Sequence, residues 1–317
     1  MPLGPLGGAV LAVDIGGTKM ASAVVDGAGE VVAYDRVATP DDPDAEVLWR
    51  ALDGLLGKVV ADAGAPALIG VGVGCGGPMT WPAAEVSPLN IHAWRGFPLR
   101  ERLRERHPGL PVRVHNDAVC VAVGEHWRGA GRGYDNVLGM VVSTGVGGGL
   151  VLNGRLIDGA SGNAGHVGHV IVEPDGPPCG CGGRGCLEAI ARGPGLVAWA
   201  QGEGWRPGEA VTGVELAEDA RAGDAVAAAA MRRAGRALGL AIASATHLCD
   251  LDVVAIGGGL SQTGPLLFDP LEKELRAHAR MDFSRDVKVV PTSLGQTSGL
   301  VGAAALILAA DRYWHAD

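Results

Sequence analysis

A repeat constrains this chain more than any other feature. LAVDIGGTKMASAVVDGAGEVV, starting at Leu11, lays out strand, glycine turn, strand, turn, strand. NVLGMVVSTGVGGGLVLNGRLI, starting at Asn136, lays out the same series, and Gly145 stands 129 positions after Gly16. Two copies of one supersecondary unit predict a duplicated α/β fold with two similar lobes. A chance likeness between two glycine-rich hairpins remains the competing account. The length of 317 residues also favours two domains over one.

Around the repeat, apolar patterning supplies the other elements. Leu48, Leu52, Leu55, Leu56 and Val59 recur at helical spacing over Ala45–Gly64, and Leu68–Val73 reads as a buried strand. Pro98–His107 reads as a charged helix with a solvated face and internal ion pairs, and Val112–His115 as a strand ending in Asn116-Asp117. Cys120–His126 reads as helical, and Gly208–Gly239 as mostly Ala-rich helix. Asp252–Ile256 is a strand feeding Gly257-Gly258-Gly259, and Gly299–Trp314 is an apolar closing helix. Hydrophobic residues make up 47% of the chain, enough for a sizeable core. The 52 glycines and 19 prolines imply many turns and close backbone approaches.

Composition excludes several classes. The net charge is −9 and aromatics are only 4%, which argues against a nucleic-acid partner. The longest apolar stretch, Gly299–Ala310, is too short to span a bilayer, so no membrane partner is expected. The N-terminal stretch lacks basic residues ahead of its apolar run, unlike a signal peptide, so a cytoplasmic location is expected.

Four constellations carry chemistry. In Asp14-Ile15-Gly16-Gly17-Thr18-Lys19, paired glycines allow backbone N–H groups to approach a phosphate. Thr18 adds a hydroxyl, Lys19 a point charge, and Asp14 an anchor for a water-coordinated Mg2+. Ser143-Thr144-Gly145-Val146-Gly147 occupies the matching place in the second copy, so Thr144, Gly145 and Gly147 form a second phosphate turn. Gly257, Gly258 and Gly259 suit close approach to a nucleotide's base and ribose, or equally a plain strand–helix turn. Asn116-Asp117 suits a sugar-hydroxyl ligand beside a general base, though alone such a pair is usually a helix cap.

The cysteines give the remaining signal. His169, Cys179, Cys181 and Cys186 offer one imidazole and three thiolates, the donor set of a closed structural Zn2+ site. The intervening Pro174–Gly185 is rich in Pro and Gly with almost no apolar residues, so a metal would order it.

Taken together, these residues resemble the ROK family of sugar kinases and sugar-responsive repressors. The likeness spans essentially the whole chain. It rests on DIGGTK at 14–19, ND at 116–117, STGVGGG at 143–149 and GHVGH at 165–169, and continues with CGCGGRGCLE at 179–188, IGGG at 256–259 and GLVGAA at 299–304.

The resemblance implies a two-lobed actin/hexokinase-like (ribonuclease-H-like) α/β fold with a central active-site cleft and a structural zinc loop. It places residues 1–117 plus 299–317 in the small lobe and 118–298 in the large one. It further implies ATP with Mg2+ as phosphoryl donor, a hexose as acceptor, and a homodimer or homotetramer. Asp117 would be the catalytic base. Asn90, Asn116, Glu188, His169 and the backbone at Gly77 would contact the sugar. His169 would also ligate zinc.

One departure concerns specificity. The family usually reads G-E-x-G-H, whereas this chain has His166 in place of the glutamate. A neutral imidazole both donates and accepts, whereas a carboxylate only accepts. His166 either tilts preference towards an N-acetylhexosamine such as N-acetylmannosamine, which GHVGH resembles, or still accepts from glucose hydroxyls. A repressor is disfavoured by the presence of Asp117 and by the 13 residues that precede Asp14, too few for a DNA-binding module. His115, just before Asn116, carries no reading of its own.

Overall fold

The computed structural model describes residues 8–208 and 211–315. Its contacts divide the chain into two compact units. The first comprises the described residues of Met1–Gly133, Gly154–Ala164 and Ser293–Asp317; the second, those of Tyr134–Asn153 and Gly165–Thr292.

In the first unit, strands β1 (Ala9–Ile15), β2 (Lys19–Val25), β3 (Val31–Ala38), β4 (Leu68–Cys75) and β5 (Val112–Asn116) form a sheet in the order β3-β2-β1-β4-β5. β1 pairs antiparallel with β2 and parallel with β4. Helix α1 (Ala45–Asp62) buries Leu48, Leu52, Leu55, Leu56 and Val59, the stripe anticipated from their spacing. Its N-cap is Asp44, which accepts from Glu46 N. Helix α2 (Leu99–Arg106) has ion pairs other than those expected. Arg102 makes a bidentate bond to Glu46 and Arg106 pairs with Asp53, both on α1, while Arg100 is buried on the carbonyls of Val112 and Pro82. Arg102 and Arg106 thus reach carboxylates of the neighbouring helix and not Glu101 or Glu105 of their own.

The second unit repeats the layout. β6 (Val137–Val142) pairs antiparallel with β7 (Val146–Leu152) and parallel with β9 (Val253–Gly257), which pairs with β10 (Lys288–Pro291). The order β7-β6-β9-β10 therefore matches β2-β1-β4-β5, and the duplication is structural. A two-residue strand, β8 (Arg155–Leu156), follows β7 in the chain but belongs to the first unit. Short helices α4 (Leu187–Ala191) and α5 (Gly193–Gly202) precede a helical stretch expected to be one piece. It is two, α6 (Gly213–Ala222) and α7 (Ala225–Cys249). Gly223 ends the first at φ 99° and Asp224 caps the second, accepting from Ala227 N. Residues 209–210, inside the expected helix, lie outside the described residues. Helix α8 (Pro265–His278) packs on α7.

The closing helix also divides, into α9 (Ser298–Leu308) and α10 (Ala310–Tyr313). α9 packs on α3 (Asp117–Arg128) almost backbone to backbone: a Cβ at Gly302 would lie 1.7 Å from the carbonyl oxygen of Cys120. This contact keeps α3 in the first unit, so the chain passes between units after Gly133, not at the end of β5. Among the described residues no helix is long and apolar enough to cross a membrane.

Glu125 on α3 is fully buried and ties these pieces together. Its Oε2 accepts from the backbone N–H of Ala130 and Ser293, and its Oε1 from Leu294 N–H and the Ser298 hydroxyl. Glu125→Gln must turn an NH2 group towards one pair of these donors. Two buried donors then lose their acceptor, and urea titration should show a loss of roughly 2–4 kcal/mol.

Candidate active site

The residues singled out in the sequence divide between the two units. In the first, the β1–β2 turn is closed by Gly16 N–H donating to Lys19 O. The Thr39 hydroxyl donates to Gly16 O at 2.7 Å, and Gly17, Thr18 and Lys19 stay exposed. Gly17 lies so close to Asn90 that a Cβ there would fall 2.5 Å from the Asn90 Cβ. A cavity of about 580 Å3 opens beside this contact, lined by Gly17, Thr18, Thr39, Asp42, Asn90 and His92 among others. That volume falls within the roughly 300–1,000 Å3 range of small-molecule sites.

At the end of β5, Asn116 is the N-cap of α3, its side-chain oxygen accepting from Ala118 N at 3.0 Å. The cap reading therefore holds for that oxygen, while Nδ2 lies against Gly77. Asp117, in the first turn of α3, also accepts from Ala118 N, at 2.8 Å. Asp14 closes β1 near Asp117, with Gly299 at the start of α9 packed on its carboxyl. Burial pushes the Asp14 carboxyl up to about 7, the charge of Asp117 adds to that rise, and Lys19 opposes it. Burial likewise raises the thiols of Cys75 and Cys120, which are inert packing groups here.

In the second unit, the Gly165–His169 segment is pressed onto β7. A Cβ at Gly168 would lie 2.0 Å from Val146 O, so only glycine fits. The rings of His166 and His169 lie 6.2 Å apart at 20°. Glu188, in the first turn of α4, accepts from Val146 N at 3.0 Å and so clasps the turn that carries Thr144, Gly145 and Gly147. Gly258, at φ 90°, packs against the end of β6, where a Cβ would meet Val142 O at 2.3 Å. The glycines 257–259 therefore sit against Val142 and Ser143, where the β6–β7 turn begins.

The metal-type donors converge. One ligand atom each from His169, Cys179, Cys181 and Cys186 lie within 4.8 Å of one another. The Cys181 and Cys186 sulfurs are 3.7 Å apart, and the Cys179 sulfur is 3.8 Å from His169 Nδ1. With Zn–S near 2.3 Å and Zn–N near 2.0–2.1 Å, tetrahedral angles separate two sulfurs by roughly 3.8 Å and a sulfur from a nitrogen by roughly 3.6 Å. These two separations suit a tetrahedral ion. Burial, then the neighbouring thiols, push the Cys186 thiol up to about 12, while a backbone hydrogen bond from Gly183 lowers that of Cys181. The loop has further support in isolated bridges between Ile171 and Cys186 and between Pro178 and Arg184, and in the 2.7 Å pair of Arg233 with Glu173.

Sequence reasoning missed three contributors. Thr39 pins the first turn, and Glu125 holds α9 where it meets Asp14. His115 bonds to Asp158, 43 positions away. Local pattern carries no signal for any of these long-range partners, although His115 stands directly before the Asn-Asp pair.

Comparison with known proteins accords with this geometry. The ROK family profile matches residues 10–310, and the chain belongs to the ROK family. It is similar to a glucokinase of Streptomyces coelicolor, with 35% identity over 316 residues covering 94% of this chain and 97% of that one. It is equally similar, at 35% over 295 residues, to an N-acetylmannosamine kinase of Yersinia pseudotuberculosis, covering 93% and 96%. Among solved structures, a ROK family glucokinase from Streptomyces griseus in complex with glucose and AMPPNP superposes with a TM-score of 0.80. That pair shares 36% identity over 95% of this chain and 99% of the other.

The Asp14 carboxyl sets a pH dependence of stability. Its folded value, about 7, lies above its ordinary 3.8, so between those values the folded chain holds a proton that the unfolded chain has released. The contribution of this one group to stability therefore falls as pH rises from about 4 to about 7 and is flat beyond. Asp14→Asn should remove this component. In metal-free buffer its stability relative to wild type should rise across that window by on the order of 2–4 kcal/mol, measured by urea unfolding at successive pH values.

Proposed function

We infer that this chain is an ATP-dependent sugar kinase, and we propose that it phosphorylates the 6-hydroxyl of a hexose. What carries the reading is Asp117, a carboxylate at the start of a helix beyond a parallel strand, beside Asp14 and the β1–β2 turn. Relatives named glucokinase and N-acetylmannosamine kinase, and the similar structure holding glucose and AMPPNP, support it. The sugar-sensing regulator, the other reading open to a ROK chain, is disfavoured by the presence of Asp117.

In this reading Asp117 accepts the proton of the 6-hydroxyl as that oxygen attacks the γ-phosphorus in line, and ADP departs. Asn116 Nδ2, Asn90 and the backbone at Gly77 hold sugar hydroxyls. Glu188 has one oxygen committed to Val146 N–H and would offer the other to the anomeric end. His166 and His169 complete the sugar contacts. Gly16, Gly17, Thr18 and Lys19, together with Thr144, Gly145 and Gly147, give N–H groups, hydroxyls and one ammonium to the phosphates. Gly257, Gly258 and Gly259 leave room for the nucleoside.

Two inorganic partners fit the residues present. Asp14 and Asp117 crowd two carboxylates together with Lys19 as the opposing charge, and Asp14 would hold Mg2+ through water, which supplies positive charge to the phosphates. His169, Cys179, Cys181 and Cys186 would hold Zn2+, which orders the loop and orients the His169 ring.

Three measurements test the reading. Asp117→Asn should lower kcat by about a thousandfold or more while sugar binding survives, and near-wild-type turnover would remove Asp117 from the base role. ADP release across glucose, mannose, N-acetylmannosamine, N-acetylglucosamine, allose and fructose identifies the acceptor. Turnover of an N-acetylhexosamine would make His166 the residue that sets preference, whereas glucose alone would make it a neutral replacement. Metal analysis of the wild type should find zinc, and Cys181→Ala should lose it, with sugar affinity falling too.

A further inference from the structure

His115 is buried to 1% exposure at the end of β5, directly before Asn116 and Asp117. Its two ring nitrogens have different partners. Nδ1 faces the Asn116 backbone N–H at 2.8 Å and must accept from it. Nε2 therefore carries the proton, and it donates to the Asp158 carboxylate at 3.1 Å. Asp158 is itself nearly enclosed, with its side chain 12% exposed, and its backbone oxygen accepts from Ala164 N at 3.0 Å. A second contact reinforces the first. The Trp81 ring lies 4.8 Å from the His115 ring, and Gly162 sits on Trp81 so closely that a Cβ would fall 2.5 Å from the indole. Residues 158–164 are thus held on the strand end that bears the catalytic pair, and Trp81 and His115 form the surface beneath them.

The chain runs on from Ala164 directly into Gly165–His169. We propose that His115 and Asp158 are a positioning pair. They fix the lead-in to the sugar-contacting histidines and, through His115 Nδ1, the backbone of Asn116. The proposal rests on the kinase reading above. A desolvated imidazole–carboxylate pair is a costly way to fill space, and an apolar pair would pack as well. What the polar pair adds is direction. One tautomer and one orientation satisfy both the Asn116 N–H and Asp158.

The pair acts on the sugar side. Gly16 is held separately by Thr39, and the 143–149 turn by Glu188, so the phosphate contacts do not depend on Asp158. Asp158→Ala should therefore raise KM for the acceptor sugar by about tenfold or more, leave kcat within about threefold and leave KM for ATP unchanged. Asp158→Asn should restore KM, because its side-chain oxygen accepts the same N–H. A loss of folded protein would instead lower apparent kcat and spare both KM values. An unchanged sugar KM in Asp158→Ala, or Asp158→Asn as impaired as Asp158→Ala, would overturn the proposal.

A second measurement needs no activity. Nitrogen-15 NMR of histidine-labelled wild type should show His115 as the Nε2–H tautomer, and Asp158→Ala should perturb that signal. An Nδ1–H tautomer or an imidazolium would overturn the pair whether or not Asp158→Ala folds. Wild-type protein that turns over no sugar while showing the Nε2–H tautomer would overturn the kinase reading, and with it the role in sugar affinity, and leave the bonded pair intact.

Discussion

Two carboxylates near one end of one sheet set the terms for the first unit. Asp14 closes β1 and Asp117 follows β5, and a single lysine on the adjoining turn stands against them. Left to themselves, two such groups in a desolvated corner repel, and one of them retains its proton. The surroundings make that corner unavoidable. α9 packs on Asp14 through Gly299 and on α3 through Gly302, and Glu125 anchors the start of α9 with its fan of accepted hydrogen bonds. A corner in which two carboxylates resist full ionisation suits a ligand that brings positive charge. On the proposed reading, a phosphoryl donor carrying a divalent cation would be such a ligand: Asp14 would hold the cation through water, and Asp117 would remain to take a proton.

Glycine does most of the positioning elsewhere, by letting backbones meet. Gly168 brings the histidine segment down on β7, Gly258 brings the 257–259 turn onto the end of β6, and Gly17 brings the β1–β2 turn against Asn90. In each case a methyl group would overlap a neighbouring main chain or its nearest side-chain carbon. The chain's many glycines are therefore partly a record of where the functional loops touch the sheets.

This explains what could be read in advance. The duplicated turn, the Asn-Asp pair and the cysteine cluster are local patterns, and each lies where its pattern implied. The β6–β7 and β6–β9 pairings repeat β1–β2 and β1–β4, so the repeat was legible as topology. The partners of polar side chains were not. Glu125 meets Ser298 across 173 positions and His115 meets Asp158 across 43, and no periodicity encodes such a meeting. The arginines of α2 were misjudged for the same reason: alternating charge suggested pairing within the helix, but Glu46 and Asp53 on α1 lay within reach. The split between α6 and α7 was legible, since Gly223-Asp224 is a stop followed by a cap, but the alanine-rich run on both sides outweighed it.

The cysteine site bears on how the proposed chemistry divides. All four donors come from the protein, and their spacing matches a closed tetrahedron, so an ion there has no open position at which to activate substrate. Its influence passes through His169. With Nδ1 turned to the sulfurs, the ring is fixed and Nε2 points away from them, which gives the imidazole a set direction and a set tautomer. The His115 ring is constrained in the same manner by different means, with a backbone N–H on one nitrogen and a carboxylate on the other. Two histidines, one held by sulfur donors and one by Asp158, thus bracket the stretch of chain from Asp158 to His169. On the proposed reading, rigidity on that stretch would favour recognition of hydroxyl geometry, where small displacements separate one hexose from its epimer, and would leave the transfer step to Asp117 and the turns at 16–19 and 144–147.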